Sequence, residues 1–446
     1  MSAAPESLGI GAMLHLLSTG QGTPEELVRQ AIGRAEDVNP WLNAFAAIGS
    51  DRALRDAAES AKRWREGRAR PLEGIPVAVK DLIDTEDMET RYGSAAYLDN
   101  RPAADAETVR RLRDQGAIVI AKTTTHEFAW GVTTASTHFG DTRNPHDETR
   151  IPGGSSGGAA VAIASGVVAA GIGTDTGGSV RIPASLCGVT GFKPTHGRLS
   201  TAGIFPLAPT LDHAGVLGAA VADVLHLSRA FGLYPNETPR PKARLGIIRG
   251  IPPVPLEDAV AEAFDRGVAS LSAAHEAREI DHAGLFDGVF AAFAGIVLTE
   301  ASVEHYRRNS RETIEATYEP ETRERLERAK SVRLEDYFVC QDARRAFAVR
   351  LRNLMEEVDF LMLPTVPCVA PRIGQSSVTI GGWSGMVREA LMTYAAPFNM
   401  AGFPAISLPL KVPAGSLPCG LQIVARPGED GALLRFAAEI EPLLRS

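Results

Sequence analysis

Apolar positions along the chain recur with two different periods. Thr23-Pro24-Glu25-Glu26 has the make-up of a helix start, with Thr23 as N-cap, Pro24 at the first helical position and Glu26 closing a capping box. Leu27, Val28, Ala31, Ile32 and Ala35 then follow at helical spacing. The charged stretch 51–70 predicts a second, solvent-facing helix, so residues 1–70 read as an N-terminal helical segment. The pattern then changes. Residues 75–79 form a short apolar run expected to be a strand, 108–115 are helical up to Gly116, and 118–121 read as a buried strand. After the Gly/Ser cluster 153–158, a helix of small residues leads to a strand at 167–172. Strand and helix in alternation predict an α/β sheet with helices on both faces, with its core in residues 71–234. Residues 235–345 are richer in charge and mostly helical in pattern, a variable region expected to cover part of a site. Strands at 360–363, 405–408 and 421–424 and a last helix at 431–444 place residues 346–446 in the same sheet domain.

Composition narrows the class. The 446 residues, 44% hydrophobic, suffice for a large core. Net charge is −8 with no basic run, which argues against nucleic acid as a partner. Cys187, Cys340, Cys368 and Cys419 are far apart, form no CxxC pair and suit neither zinc nor a disulfide framework. That usage fits a reducing cytoplasm. The N-terminus carries Glu6 and lacks a basic start, so it makes a poor signal peptide. Residues 151–174 hold no charge and are long enough to span a bilayer. They consist mainly of Gly, Ala, Ser and Val and open with a Gly/Ser cluster, so the expectation is a buried helix and strand and no membrane partner.

Three features carry chemistry. Lys80 ends the apolar run Pro76-Val77-Ala78-Val79. Two glycine–serine clusters follow, Gly153-Gly154-Ser155-Ser156-Gly157-Gly158 and Gly173-Thr174-Asp175-Thr176-Gly177-Gly178-Ser179. A serine hydroxyl is a weak nucleophile until a base takes its proton. A lysine can be that base when burial disfavours its ammonium form. A second serine between the two could pass the proton along. The run Thr176-Gly177-Gly178-Ser179 offers consecutive amide N–H groups for an oxyanion, with little side chain in the way.

These residues resemble the amidase signature family. The resemblance covers the chain from about residue 20 to the last helix and is strongest over 72–198. It rests on GIPVAVKDLIDT, THFGDTRNPHD and GGSSGGAAVAIASGVVAAGIGTDTGGSVRIPASLCGVTGFKPTHGR, with FNMAGFPAISLP and CGLQIVARP near the end. It implies a single-domain fold with a central mixed, twisted β-sheet flanked by helices on both faces. It also implies a serine hydrolase of carboxamide-type C–N bonds that needs no cofactor and no metal. Carried over by position, the lysine base falls on Lys80, the relay serine, held by a cis peptide, on Ser155, and the acylated serine on Ser179. Ser156, Asp175 and Arg181 are the implied supporting residues. Thr176, Gly177 and Gly178 would hold the oxyanion, and the segment 128–131, with Ala129 and Gly131, would wall the acyl pocket.

Other readings remain open at this level. Gly153-Gly154-Ser155-Ser156-Gly157 also matches the nucleophile elbow of α/β-hydrolases, which needs a histidine; His196, His213, His275, His282 and His305 are available. Gly171-Ile172-Gly173 begins like a dinucleotide fingerprint, but Thr176 stands where its third glycine belongs. His126, His138 and His146 show no metal spacing and suit loop hydrogen bonding. Within the family, the alternatives are a urethanase-like carbamate or ester hydrolase on the same site and the glutamine-hydrolysing component of a tRNA-dependent amidotransferase. Members of the latter type carry an acidic residue shortly before the segment matching Pro397-Phe398-Asn399, whereas Leu391-Met392-Thr393-Tyr394 is uncharged. Arg325 could match a glutamine-contacting position but is expected on a solvated helix face. An aromatic wall of Phe128, Trp130, Phe205 and Trp383 would favour an aromatic or apolar substrate, and the cysteines are expected in the core. The partner implied is a small amide or carbamate, with a homodimer through the N-terminal helices also compatible with the sequence.

Overall fold

Residues buried on alternate sides of each strand build the molecule. Val77 and Val79 face one core while Ala78, between them, faces another. Phe360 and Met362 alternate in the same way with Leu361 and Leu363. A strand buried on both faces needs helices on both sides of the sheet, and a computed structural model, which describes residues 8–234 and 242–445, has that arrangement. The expectations for the first seven residues, Glu6 among them, and for 235–241 fall outside the described residues.

The strands are β1 (Phe45–Ile48), β2 (Pro76–Lys80), β3 (Ile118–Thr123), β4 (Ala170–Asp175), β5 (Thr190–Lys193), β6 (His213–Gly218), β7 (Arg244–Ile247), β8 (Glu276–Glu279), β9 (Phe360–Pro364), β10 (Ser377–Ile380), β11 (Trp383–Met386), β12 (Ala405–Pro409) and β13 (Gly420–Val424). Eleven of them form one mixed sheet in the order β1-β3-β2-β4-β6-β5-β12-β13-β9-β7-β8, and β10 and β11 form a separate hairpin. The parallel pairs are β2 with β3 and β4, and β7 with β8 and β9; the other pairs in this sheet are antiparallel.

Thr23 caps the helix Pro24–Leu42 as expected: its hydroxyl accepts from Glu26 N, and Glu26 accepts from Thr23 N. The first 70 residues are not helical throughout, because β1 pairs with β3 at the sheet edge. Four residues give too short a period-2 pattern to stand out beside two long helices. Residues 242–345 likewise add β7 and β8 to the sheet as well as helices. The uncharged stretch 151–174 is the helix Gly157–Ala164 followed by β4, almost wholly buried. Its small residues permit close approach: a Cβ on Gly158 would lie 2.5 Å from Thr124 N, and one on Gly171 2.6 Å from Ala78 O. No helix among the described residues is long and apolar enough to cross a membrane. Cys187, Cys368 and Cys419 are buried, whereas Cys340 is half-buried.

Candidate active site

The register of two neighbouring strands brings the lysine and the second glycine–serine run together. In the parallel β2–β4 pair, Ala78 lies beside Gly171 and Val79 beside Ile172. Lys80, the last residue of β2, therefore meets the end of β4, from which the chain continues through Thr176, Gly177 and Gly178 to Ser179. Lys80 is fully buried, and its Nζ lies 2.7 Å from Ser155 Oγ and 2.7 Å from Thr174 Oγ1. Burial lowers its pKa to about 7, against the opposing pull of the Asp175 and Asp212 charges.

Ser155 reaches this point because its loop is stitched to β4. The Gly154–Ser155 peptide is cis, as the resemblance implies. Ser156 Oγ donates to Thr174 O (3.1 Å) and accepts from Thr174 N (3.3 Å), while Ser156 N donates to Ser179 O (3.1 Å). Gly173 makes room for this, since a Cβ there would sit 2.6 Å from Ser156 Oγ.

Asp175 and Arg181 bracket Ser179. The Asp175 carboxylate accepts from Gly178 N (2.8 Å), Val180 N (3.2 Å) and both Arg181 Nε (3.0 Å) and Nη2 (2.9 Å). Arg181 also donates to Asn399 Oδ1 (2.6 Å), Ala395 O (2.9 Å) and Gln422 Oε1, and Asn399 Nδ2 returns to Asp175. Burial alone would raise the Asp175 pKa, but the Arg181 charge and hydrogen bonds hold it well below the usual carboxylate range. The turn therefore rests on a fully buried, multiply bonded ion pair.

One expected contribution changes. Gly178 N–H is spent on Asp175 and does not face the cavity. What Gly178 supplies is backbone freedom, with φ +119° and room for Ala395, whose Cβ would lie 2.5 Å from a side chain there. Thr176, Gly177 and Ser179 line the cavity, as do Ala129 and Gly131.

The cavity is open to solvent and, together with the space at its mouth, takes up about 880 Å³. Its aromatic wall is not the expected one. Trp130 lines it, but Phe128 and Phe205 do not and instead pack on each other at a tilt of 33° (centroids 4.9 Å apart), and Trp383 lies in the β10–β11 hairpin. Phe290 and Phe293, from the helix Val289–Arg308, take that place with Met392. Arg325 is also corrected: it is only 6% exposed and lines the cavity rather than a solvated face. It pairs with Glu321, lies 5.6 Å from the Trp130 ring, and leaves Nη1 buried without a partner. Burial lowers its pKa to about 10. Arg328 and Arg388 line the same cavity.

No described hydrogen bond joins a histidine ring to Ser155 or Ser179. His213 Nδ1 instead meets Leu211 O (2.7 Å) and Asp175 O (3.2 Å), and His305 meets Tyr318 (3.0 Å). His126 lies 3.3 Å from Glu321, His146 3.0 Å from Cys187 O, and His138 is exposed. The histidine-elbow reading therefore finds no geometry here. Sequence reasoning gave no role to Thr174, although it lies within the second glycine–serine run, and passed over Asp212, which lies outside both glycine–serine clusters.

The sequence profile of the Amidase family matches residues 26–434. The chain is 34% identical to the A component of the glutamyl-tRNA(Gln) amidotransferase of Chloroflexus aurantiacus, over 96% of this chain and 95% of that one. It is 32% identical to AtzE, a component of the 1-carboxybiuret hydrolase of Pseudomonas sp. (strain ADP), over 94% of this chain and 95% of that one. A crystal structure of an amidase superposes with a TM-score of 0.91 at 36% identity, covering 98% of this chain and all of that one.

Proposed function

We propose, from the premise that the chain belongs to the amidase family and hydrolyses C–N bonds, that it does so through a Ser179 acyl-enzyme with Lys80 as base and Ser155 as relay. The observation that carries this reading is Lys80: a buried amine with a pKa near 7, 2.7 Å from Ser155 Oγ. With Nζ neutral, its lone pair takes the Ser155 proton as Ser155 takes that of Ser179. Ser179 Oγ attacks the carbonyl carbon. The free N–H groups of Thr176, Gly177 and Ser179 receive the oxyanion. As the C–N bond breaks, Lys80 returns its proton through Ser155 to the departing nitrogen. Water then adds to the acyl-enzyme, loses its proton along the same relay, and releases the acid and Ser179.

The enzyme acts in the cytoplasm on a small or aryl amide, or on a urea- or carbamate-like compound. The apolar wall of Trp130, Phe290, Phe293 and Met392 supports this substrate class. One observation favours a second reading, an amide carrying a carboxylate, such as glutamine: Arg325 stands in the cavity with an unpartnered Nη1. Against glutamine itself stands the uncharged segment 391–394. The test is turnover of a panel of short aliphatic amides, aryl amides, an aryl carbamate, biuret-type ureas and glutamine by wild type, Ser179→Ala and Lys80→Ala. Turnover lost in both variants is expected; near wild-type turnover without Lys80 would overturn the relay.

A further inference from the structure

Asp212 touches neither serine, yet it joins three parts of the site. It precedes β6, and its carboxylate accepts from Thr176 Oγ1 (2.6 Å), Leu207 N (2.9 Å) and Ala208 N (3.1 Å). Thr176 opens the run of amides that ends at Ser179, and Leu207 is part of the cavity wall. One carboxylate thus ties the nest to the wall. The same charge acts on Lys80: Asp175 and Asp212 are the two groups that oppose the effect of burial there. The two acids differ in what surrounds them. Asp175 is bound to Arg181, so much of its charge is answered locally. Asp212 meets neutral donors and faces Glu300, which is itself engaged by Thr210 N (2.9 Å) and Thr210 Oγ1 (2.6 Å). Arg344 closes this side by donating to Thr210 O (2.7 Å).

We propose that Asp212 is a positioning residue for the reaction, which locks Thr176 and the 207–208 turn into one unit and whose carboxylate adds to the negative charge that Asp175 brings to the Lys80 side of the site. This rests on the Lys80–Ser155–Ser179 reading. Two consequences separate it from a merely structural role. Removing the charge while keeping the side-chain shape makes the Lys80 ammonium harder to hold, so Lys80 is neutral down to lower pH. Removing the Thr176 hydroxyl loosens the nest and takes one donor from the buried Asp212 carboxylate, but leaves the Leu207 and Ala208 donors to hold its charge.

The test needs no knowledge of the substrate: the rate at which a fluorophosphonate labels Ser179, followed from pH 5 to 9 by intact mass. Ser179 Oγ forms the phosphorus–oxygen bond, fluoride leaves, and the serine proton passes to the relay. In Asp212→Asn the acid limb of the profile moves to lower pH, and the plateau falls about tenfold because the amide keeps only one acceptor oxygen and gives up either the Leu207 or the Thr176 contact. Asp212→Glu keeps the limb near its wild-type position with a reduced plateau. Thr176→Val reduces the plateau and moves the limb less than Asp212→Asn does. Should Asp212→Asn fail to fold, the Asp212→Glu and Thr176→Val profiles carry the test, and a wild-type plateau in both would overturn the proposal. A folded Asp212→Asn with the wild-type limb would overturn it as well. Lys80→Ala, measured in parallel, separates the two levels: if it labels at the wild-type rate, the relay itself is wrong; if it is inert while Asp212→Asn is unshifted, only the role of Asp212 falls.

Discussion

Lys80 at the end of β2 and Lys122 in the adjacent β3 are both buried lysines, and burial lowers the pKa of both, to about 7 and about 8. Their neighbours differ. Lys122 Nζ donates to Ile83 O and Thr90 Oγ1 (2.6 Å) and lies 3.8 Å from Asp81. The carbonyl and the carboxylate reward a charged, donating amine, and the Thr90 and Thr85 (3.4 Å) hydroxyls beside them also accept from it. Lys80 meets two hydroxyls, Ser155 and Thr174, and no carboxylate within ion-pair distance among the described residues. Lys193 extends the contrast, since it donates to Pro194 O (3.0 Å) and Phe403 O. Burial depresses all three amines, and hydroxyls alone do not separate them; the proposed relay needs an amine held against Ser155, beside the Ser179 turn, with no carboxylate at ion-pair distance, and among these three that is Lys80. A lowered pKa marks a desolvated group; the partners decide what it does.

The comparison can be broken at either lysine. The largest expected effect is at the site itself: Ser179→Ala and Lys80→Ala each lower kcat/KM on the preferred amide by about a thousandfold or more. Lys122→Met should act on stability instead. It strands Ile83 O, Thr90 Oγ1 and the nearby Asp81 charge, at about 2–4 kcal/mol measured by urea unfolding, with kcat within a few-fold of wild type. A Lys122→Met enzyme that is stable but inactive would contradict the division of roles.

The pH dependence sharpens the same point. The base must be neutral, so kcat/KM should fall as pH drops through about 7, where Lys80 gains its proton, and level off above it. A limb near pH 4 would point to a carboxylate base. The smallest effect is expected at the cavity wall. Arg325→Met should raise KM for carboxylate-bearing amides by about tenfold and leave neutral amides unchanged; equal effects on both would make Arg325 a packing residue.

The chemistry was more legible than the pocket. Lys80, Ser155, Ser179, Asp175 and Arg181 lie in two continuous runs and one strand end, so motifs and strand grammar locate them without tertiary information. Phe290, Phe293, Arg325 and Met392 sit on helices, where a side chain facing a cavity has the same period as one facing the core. Arg325 illustrates the difficulty: a charged residue on a charged helix reads as solvated, and only packing against Trp130 and Glu321 buries it. Gly178 shows the opposite limit. Its place beside Ser179 was legible, but its N–H belongs to Asp175, a bond across three residues that competes with the open nest a glycine run suggests. Of the sheet, β1, β5, β7 and β8 went unread because each is only four residues long, and β6, His-Ala-Gly-Val-Leu-Gly, because it lacks a clear alternation.

The most direct measurement is the rate of fluorophosphonate labelling at pH 8 in wild type, Lys80→Ala and Lys122→Ala, with the labelled residue identified by peptide mass. The account predicts labelling at Ser179 in wild type, little change in folded Lys122→Ala, and near-complete loss in Lys80→Ala. Labelling of Ser179 at the wild-type rate in Lys80→Ala would contradict it.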